Sequence, residues 1–554
     1  MTKIFSNNNN SLASKKQEDL TGPLKDEQFF GNFKNNISSV DERKIAGKSL
    51  TANKNIKTQN FINTNYPKEV GSGIRHEGKD FVTHTNLQHK YSAIKTLHSH
   101  QKIIVVLLGG GLLVGTFLNW RETIIIIVAL LTFLYFADLL FSLFLTIKTL
   151  RKSSEIKITQ KEINSLDDSV LPVYTIFCPL YKEWQVIPHF VKSISKLNWP
   201  KDKLDVQLLL EEDDKKTIAE VGKMKLPSYF KVMITPDGEP KTKPKACNYG
   251  LNHAKGAYAV IYDAEDKPAS DQLKKAFLAF QKTKEDNVVC VQAKLNFYNL
   301  HQNILTRLFT MEYSLWFDLI LPGLQSIKAP LPLGGTSNHF RTEHLRYLKG
   351  WDPFNVTEDC DLGMRIAKLG FHTAIIDSTT MEEANSQVGN WFRQRSRWIK
   401  GYMQTYLVHM RRPGEFITDI KNPNIIFFQL TVGGKILSLF INPLMWVMTI
   451  TYFVFRDTLG PIIESFYLTP VFYMAAFSLV IGNFFYIYNY MIGCAKREQW
   501  DIIKYAFLVP FYWLMISMAA WKALIQLIYK PHYWEKTVHG FHLENNGEDN
   551  NKNK

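Results

Sequence analysis

No two of the five cysteines, Cys178, Cys247, Cys290, Cys360 and Cys494, stand in a CxxC pair or any other metal-ligand spacing. That argues against a zinc-ribbon or redox CxxC motif and predicts reduced, packed thiols facing a reducing compartment. Also missing near Met1 is an apolar core followed by a small-residue cleavage site, so no secretory signal peptide is expected. The first hundred positions are rich in Asn and Lys and nearly devoid of apolar periodicity. Such a segment buries too little surface to offset its ordering entropy, and residues 1–100 are expected to be a disordered polar tail. The net charge of +15 lacks the arrangement that nucleic-acid binding needs. Its basic residues gather in the tail and beside apolar runs, not along one recognition helix interleaved with aromatics. No nucleic-acid partner is expected.

What the sequence does contain is long apolar runs on both sides of a soluble stretch. Residues 103–118 and 123–147 are joined only by Asn119, Trp120, Arg121 and Glu122, which predicts a transmembrane hairpin over 101–148. Lys90, Lys95 and Lys102 precede it, and Lys148, Arg151, Lys152, Lys157 and Lys161 follow it. Basic flanks of this kind place both ends on the cytoplasmic side. The expectation is an integral protein of the plasma (inner) membrane whose next domain is cytoplasmic and which contacts membrane lipids. A second apolar region covers 424–530. Residues 425–455 are too long for one simple span and carry Lys435, which suggests an interfacial amphipathic segment leading into a span at 437–455. Residues 466–492 and 505–528 are further candidates, the last interrupted by Pro510 and Lys522, so the side of the C-terminal tail (531–554) stays open.

Residues 165–412 alternate short apolar runs, at 173–178, 205–210, 231–234, 258–262, 288–291 and 372–376, with helical patterns at 187–197, 244–254 and 272–283. Alternation of this type predicts an α/β domain with a largely parallel sheet. Ligands in such sheets sit beyond the carboxyl ends of the strands. There the run Tyr258–Tyr262 meets Asp263, Ala264, Glu265 and Asp266. The cluster is either a water-facing turn or a site for a hard divalent ion, which takes one or two carboxylates and completes its shell with phosphate and water. Thr357, Glu358 and Asp359 open a helix, as an N-cap with acidic first turn or as the seat of a general base. Gln394, Arg397 and Trp398, at i, i+3 and i+4, share one helix face. Arg suits phosphate oxygens and Trp a sugar ring, although both also suit a membrane interface. The strand ending in Glu211, Glu212, Asp213 and Asp214, and the helix opened by Lys243, Pro244 and Lys245, add acidic and phosphate-binding features.

In order, the chain shows Cys178-Pro179-Leu180-Tyr181-Lys182-Glu183, Glu211-Glu212, Lys245 to Asn248, Asp263-Ala264-Glu265-Asp266, Gly334-Gly335-Thr336, Thr357-Glu358-Asp359 and Gln394 to Trp398. Over residues 170 to 402 this resembles the family 2 inverting glycosyltransferases of GT-A fold, in their membrane-integrated branch of cellulose, hyaluronan and chitin synthases. The resemblance implies a GT-A-type domain inserted between N-terminal and C-terminal transmembrane helices. It also implies transfer from a nucleotide sugar, a UDP-sugar being favoured, to a polysaccharide or lipid acceptor, with Mg²⁺ or Mn²⁺ as cofactor. Carried over by position, Asp359 is the catalytic base. Tyr181, Glu183, Glu212, Lys245, Asp263, Gln394 and Arg397 hold the donor. Trp398, Glu358, Gly335 and Thr336 border the acceptor, and Asp263 with Glu265 or Asp266 binds the metal. Two departures stand out: Glu265 occupies the second acidic position of the family's Asp-x-Asp, and Glu211-Glu212 replaces its paired Asp. The stretch after residue 528 is too short for a cyclic-dinucleotide-binding domain. The expected product is a growing polysaccharide, coupled to export; the alternatives are a glycolipid, or a non-catalytic receptor or assembly protein.

Overall fold

The computed structural model describes residues 60–61, 73–76, 78–283, 287–414 and 424–536. Strands β1 (Asn60–Phe61), β2 (Gly73–His76) and β3 (Lys79–Val82) form a small antiparallel sheet. Helix α1 (Ser99–Arg151) follows; its backbone is non-helical at Asn119. A Cβ on Gly115 would lie 3.0 Å from Thr123 Oγ1. Eight residues of straight helix span about 12 Å, so the chain doubles back at Asn119 and the expected hairpin is present.

The central sheet has eight strands in the order β6-β5-β4-β7-β10-β9-β11-β8. Its members are β4 (Tyr174–Leu180), β5 (Leu204–Glu211), β6 (Phe230–Thr235), β7 (Tyr258–Ile261), β8 (Lys267–Pro268), β9 (Val288–Phe297), β10 (Asn338–Arg341) and β11 (His372–Glu382). Strands β4 to β7 pair in parallel, as do β9 and β11, whereas β10 and β8 are antiparallel insertions. Buried on both faces, β4, β5 and β9 read as near-continuous apolar runs. On one face α2 (Ile187–Ser195) and α4 (Gln272–Lys282) contribute Phe190, Ile194, Leu273 and Phe280 to a core with Ile176 and Leu208. On the other, α3 (Lys243–His253) and α6 (Glu358–Lys368) contribute Cys247, Leu251, Leu362 and Ile366 to a core with Phe177 and Trp351. All five cysteines are free and buried.

Beyond the sheet lie α5 (Ile304–Leu315) and α7 (Val388–His409), then the apolar helices α8 (Asn424–Val454), α9 (Thr469–Lys496) and α10 (Trp500–Tyr529). Helices α1, α8, α9 and α10 are long and apolar enough to cross a membrane. Contacts set their directions. Both ends of the hairpin touch the sheet domain, through Gln101 to Leu407 O and Ser154 to Pro322 O. Its turn meets the loop between α8 and α9, where Trp120 and Phe466 stack edge-to-face. Helix α9 returns, and Lys496 donates to Asp318 O. Both ends of α10 also touch the sheet domain, for Arg497 precedes it on Asp318 and Tyr533 follows it on Lys400. Trp391 lies against Tyr512, so α10 runs beside α7.

One expectation is corrected here. Residues 74–98 do not continue the disordered tail: Ile74, Ala93 and Ile94 are buried in a cluster with Phe354 and Val408. Asp352 accepts from Ser92 Oγ and Ala93 N, and Arg411 donates to the carbonyls of His89, Lys90 and Ser92. The segment has few apolar residues, but each packs on the domain instead of on its neighbours. The rest of the expected tail lies outside the described residues except Asn60–Phe61 and Gly73. Lys435, which the sequence offered no partner, is paired with Asp138 of α1.

Candidate active site

The carboxyl ends of β4, β5 and β7 open into one cavity of about 620 Å³, within the ~300–1,000 Å³ usual for small-molecule sites. Strand β7 delivers Asp263. Lys243, the first residue of α3, reaches its Oδ1 at 2.5 Å and Gly335 O at 2.7 Å. A Cβ on Gly335 would lie 3.5 Å from Asp359 Oδ2 and 4.0 Å from Lys243 Nζ. Asp263, Lys243, Gly335 and Asp359 therefore meet around one space, and Glu265, Glu358, Gln394, Arg397 and Trp398 line the same cavity.

Helix α7 does more than carry Gln394, Arg397 and Trp398. Gln404 Oε1 accepts from Val356 N, and Thr405 Oγ1 accepts from Asn355 Nδ2, which pins the loop before Asp359. Asn355 Oδ1 in turn accepts from Thr357 N. Thr357 occupies the helix-capping position but makes no side-chain cap bond. Its side chain packs instead on Gly401, where an added Cβ would lie 2.3 Å from Thr357 Oγ1. Gly401→Ala should therefore push Asp359 off its position, at a strain cost of about 1–3 kcal/mol. Turnover should fall while donor affinity changes little, measured by steady-state kinetics beside donor titration.

Arg397 donates to Val356 O and stacks on Trp534, 4.4 Å from the ring centre. Arg395 points the other way, forming a two-pronged pair with Glu312 at 2.8 and 2.5 Å and bonding Tyr512 OH. It also lies 5.0 Å from the Trp398 ring centre. That anchors α7 to α5 and α10 and fixes the Trp398 plane at the cavity wall. Gln394 accepts from Asn385 Nδ2.

Electrostatics separates the acids. Burial pushes the Asp359 carboxyl up to about 6, against Lys243 and Arg397. Burial and then Asp359 push Glu358 to about 8. Burial lowers the Lys243 ammonium, but Asp263 and Glu358 overcome it and hold it above its ordinary value. Glu265 is held well above the carboxylate range by burial, Asp263 and Glu183. Burial and mutual repulsion thus set the two carboxyls apart, Glu358 being raised further than Asp359.

Several expected residues serve other purposes. Asp266 turns away from the cavity: its Oδ2 accepts from Asp263 N and Thr336 Oγ1. Thr336 Oγ1 also bonds Ile261 O, so that hydroxyl fixes the turn and is not free for an acceptor. Lys245 is fully buried and bonds Glu211 at 2.7 Å and Gly238 O at 2.8 Å. It braces the cavity wall from behind, and Lys241 and Lys243 face the cavity in its place. Glu211 lines the cavity, whereas Glu212 is exposed and accepts from Asp237 N. Tyr181 and Glu183 line the cavity as expected, and Tyr181 OH bonds Asp213. Glu382, Trp534 and Lys536 also line the cavity and were not singled out from sequence, whereas Lys243 was named only with the start of its helix. The segment Lys530–Lys536 folds back over the site, with Lys536 3.2 Å from Glu183 and bonded to Tyr181 O. Its signal was legible as Tyr533-Trp534-Glu535-Lys536, an aromatic and basic cluster directly after the last apolar run.

Residues 172–401 match the family described as Glycosyltransferase like family 2. This stretch is thus similar to the family 2 glycosyltransferases. The probable glycosyltransferase YdaM of Bacillus subtilis is 25% identical over 46% of this chain and 60% of its own length. Glucomannan 4-beta-mannosyltransferase 1 of Oryza sativa is 26% identical over 43% of this chain and 46% of its own. The beta-monoglucosyldiacylglycerol synthase of a Nostoc species is 27% identical over 45% and 52%. The chain thus spans about half the length of the curated relatives it matches. Among solved structures, the mannosyltransferase of Pyrobaculum calidifontis in complex with GDP-Man and Mn²⁺ is 17% identical, with a TM-score of 0.46 over 73% of this chain and 99% of that one. The architecture is a mixed, mostly parallel sheet with helices on both faces, set between apolar helices long enough to span a membrane.

Proposed function

We propose that this chain moves a sugar from a nucleoside-diphosphate donor to an acceptor hydroxyl at the cytoplasmic face of a membrane, with inversion at the anomeric carbon. The observation that carries the reading is the convergence of Asp263, Lys243, Gly335 and Asp359 on one space that Arg397 also lines. Asp359 takes the proton of the acceptor hydroxyl as that oxygen bonds to the anomeric carbon, and the bond to the diphosphate breaks on the opposite side. Negative charge grows on the departing diphosphate. Lys243 and Arg397 hold it more strongly in the transition state than before, and that differential is what accelerates transfer. Trp398 offers the acceptor sugar a flat face.

Asp263 and Glu265 suit a divalent cation, Mg²⁺ or Mn²⁺. Among the described residues no group of three or more His, Cys, Asp or Glu side chains is disposed to hold a metal alone. That matches an ion needing one or two carboxylates, with phosphate and water completing its shell. When bound, it supplies positive charge against the donor diphosphate. Stripping the purified protein with a chelator should abolish turnover, and Mg²⁺ or Mn²⁺ should restore it.

The acceptor is proposed to be a growing polysaccharide delivered toward export, in line with a site that continues into the helical bundle and with the mannosyltransferase relatives. The likeness to the diacylglycerol glucosyltransferase supports a second reading, a glycolipid product. Incubating the protein in lipid nanodiscs with a panel of UDP- and GDP-sugars decides between them. Polymer of many units supports the first, a lipid bearing one sugar the second, and no transfer from any donor sinks both. Turnover should also fall as pH drops through about 6, because Asp359 works only when ionised and its carboxyl titrates there. An activity profile flat from pH 7 to 5 would remove it from that role.

A further inference from the structure

Helix α1 begins at Ser99, and the residues just before it frame the site. Residues 81–94 touch three loops in turn, and each loop reaches cavity-lining side chains within a few residues. The first is the loop before α3. Val82 N donates to Glu239 O, and a Cβ on Gly238 would lie 2.7 Å from Val82 Cγ2. Only a residue without a side chain admits so close an approach. Lys241 and Lys243, which line the cavity, follow directly. The second is the loop before α6. Thr85 Oγ1 donates to Lys349 O, and Ser92 Oγ and Ala93 N donate to the Asp352 carboxylate. The rings of Phe81 and Phe354 meet edge-to-face at 5.2 Å. Val356, Thr357, Glu358 and Asp359 follow on the cavity wall. The third is the segment after α10. His532 stands between Ile94 O and Phe354 O, 3.2 Å from each, and Trp534 beyond it lines the cavity.

The first two loops are also tied to each other. Thr242 Oγ1 donates to Pro353 O. Asn248 of α3 donates through Nδ2 to both Thr83 O and Trp351 O, and its Oδ1 accepts from Trp351 N. The lysine loop and the base loop therefore share residues 81–94 as a common third partner. Irregular loops of this kind are not ordered by a helix or sheet ladder of their own, so their geometry is set by what they pack on. Asp352 makes the dependence sharp. It is fully buried, and a buried carboxylate is tolerated only where donors meet it. Phe354 N supplies one bond from within the loop, while Ser92 and Ala93 supply the others from outside it.

We propose that residues 81–94 are a clamp that sets the spacing between the donor-binding lysines and the base, with Val82 the positioning residue for Lys241 and Lys243 and Ser92 the positioning residue for Asp359. The clamp rests on the glycosyl-transfer reading and deepens it, because the reacting geometry then depends on a segment outside the family match at residues 172–401. Neither Val82 nor Ser92 lines the cavity, so each acts only through its loop. The two act on different steps. A slackened lysine loop has to be ordered by the donor itself, which weakens donor binding. A slackened base loop leaves the donor bound but sets the Asp359 carboxylate out of line, and a misplacement of about 1 Å can cost 10²-fold in rate.

The test uses the full chain in nanodiscs with a donor that the wild type turns over, reading kcat and donor KM beside a calorimetric donor titration that counts the binding-competent chains. Val82→Ala removes the two methyl groups that face Gly238. Donor KM should rise about tenfold, the equivalent of those two buried groups, while kcat stays within about twofold of wild type. Val82→Thr keeps the shape and should restore the wild-type KM. Ser92→Ala removes one hydrogen bond to a buried carboxylate. Its kcat should fall about tenfold, with donor KM and the number of donor-binding chains unchanged. Opposite splits from two residues of one short segment are what a clamp gives. A merely structural role instead lowers turnover in step with the number of binding-competent chains, alike in both variants. The proposal is overturned by that result, by wild-type kinetics in both variants, or by the same split in both. Absence of transfer by the wild type from every donor strikes the glycosyl-transfer reading, whereas an active wild type with insensitive variants strikes the clamp alone.

Discussion

Asp359→Asn should lower kcat by about 10²–10⁴-fold, the usual contribution of a positioned general base, while donor affinity stays within a few-fold of wild type. The asymmetry follows from position. Asp359 is held by the backbone N–H of Cys360 and faces the space beside Gly335. The proposed donor side lies elsewhere in the cavity, at Lys243, Tyr181 and the acidic end of β7. Amide and carboxylate have nearly the same shape, so the fold is kept and only proton acceptance is lost. Steady-state kinetics with a calorimetric donor titration reads both quantities. Near-normal turnover in this variant would remove Asp359 from the chemistry.

The second large effect is expected at Arg397. Arg397→Lys keeps the charge but loses the planar fork that bonds Val356 O and stacks on Trp534. Turnover should fall about 10²-fold or more, comparable to removing one charge-stabilising donor from a transition state. Lys243→Met should act on the same growing charge. The double variant should therefore be less impaired than the product of the two single effects, since residues acting on one group do not add. Strict multiplicativity in kcat would show that the two side chains serve separate steps.

Much of this was legible in the sequence, for reasons that vary by element. The strands buried on both faces announced themselves as apolar runs bounded by turns, so β4, β5, β7, β9 and β11 fall where expected. Strand β10 did not, because Asn338 and His339 are buried polar residues satisfied by tertiary partners and no apolar alternation marks them. Asp359, Asp263 and Arg397 were found through the order of their motifs, and each lines the cavity. The errors came where one position decides the face. Lys243 and Lys245 stand two apart at a helix start, hence on different sides; Glu211 and Glu212 stand one apart at a strand end, hence on opposite faces. Composition alone names both members of each pair and selects neither. The pairing of Lys435 was not legible for a different reason. A lysine in an apolar run looks interfacial until its partner, Asp138, some three hundred positions earlier, is seen beside it.

The most direct measurement is a structure of the full chain with Mn²⁺ and an unreactive analogue of the donor that it turns over. The account predicts the diphosphate between Asp263, Lys243 and Arg397, with the anomeric carbon facing the Asp359 carboxylate. A diphosphate bound outside that cavity, or an Asp359 carboxylate directed away from the sugar, would contradict it.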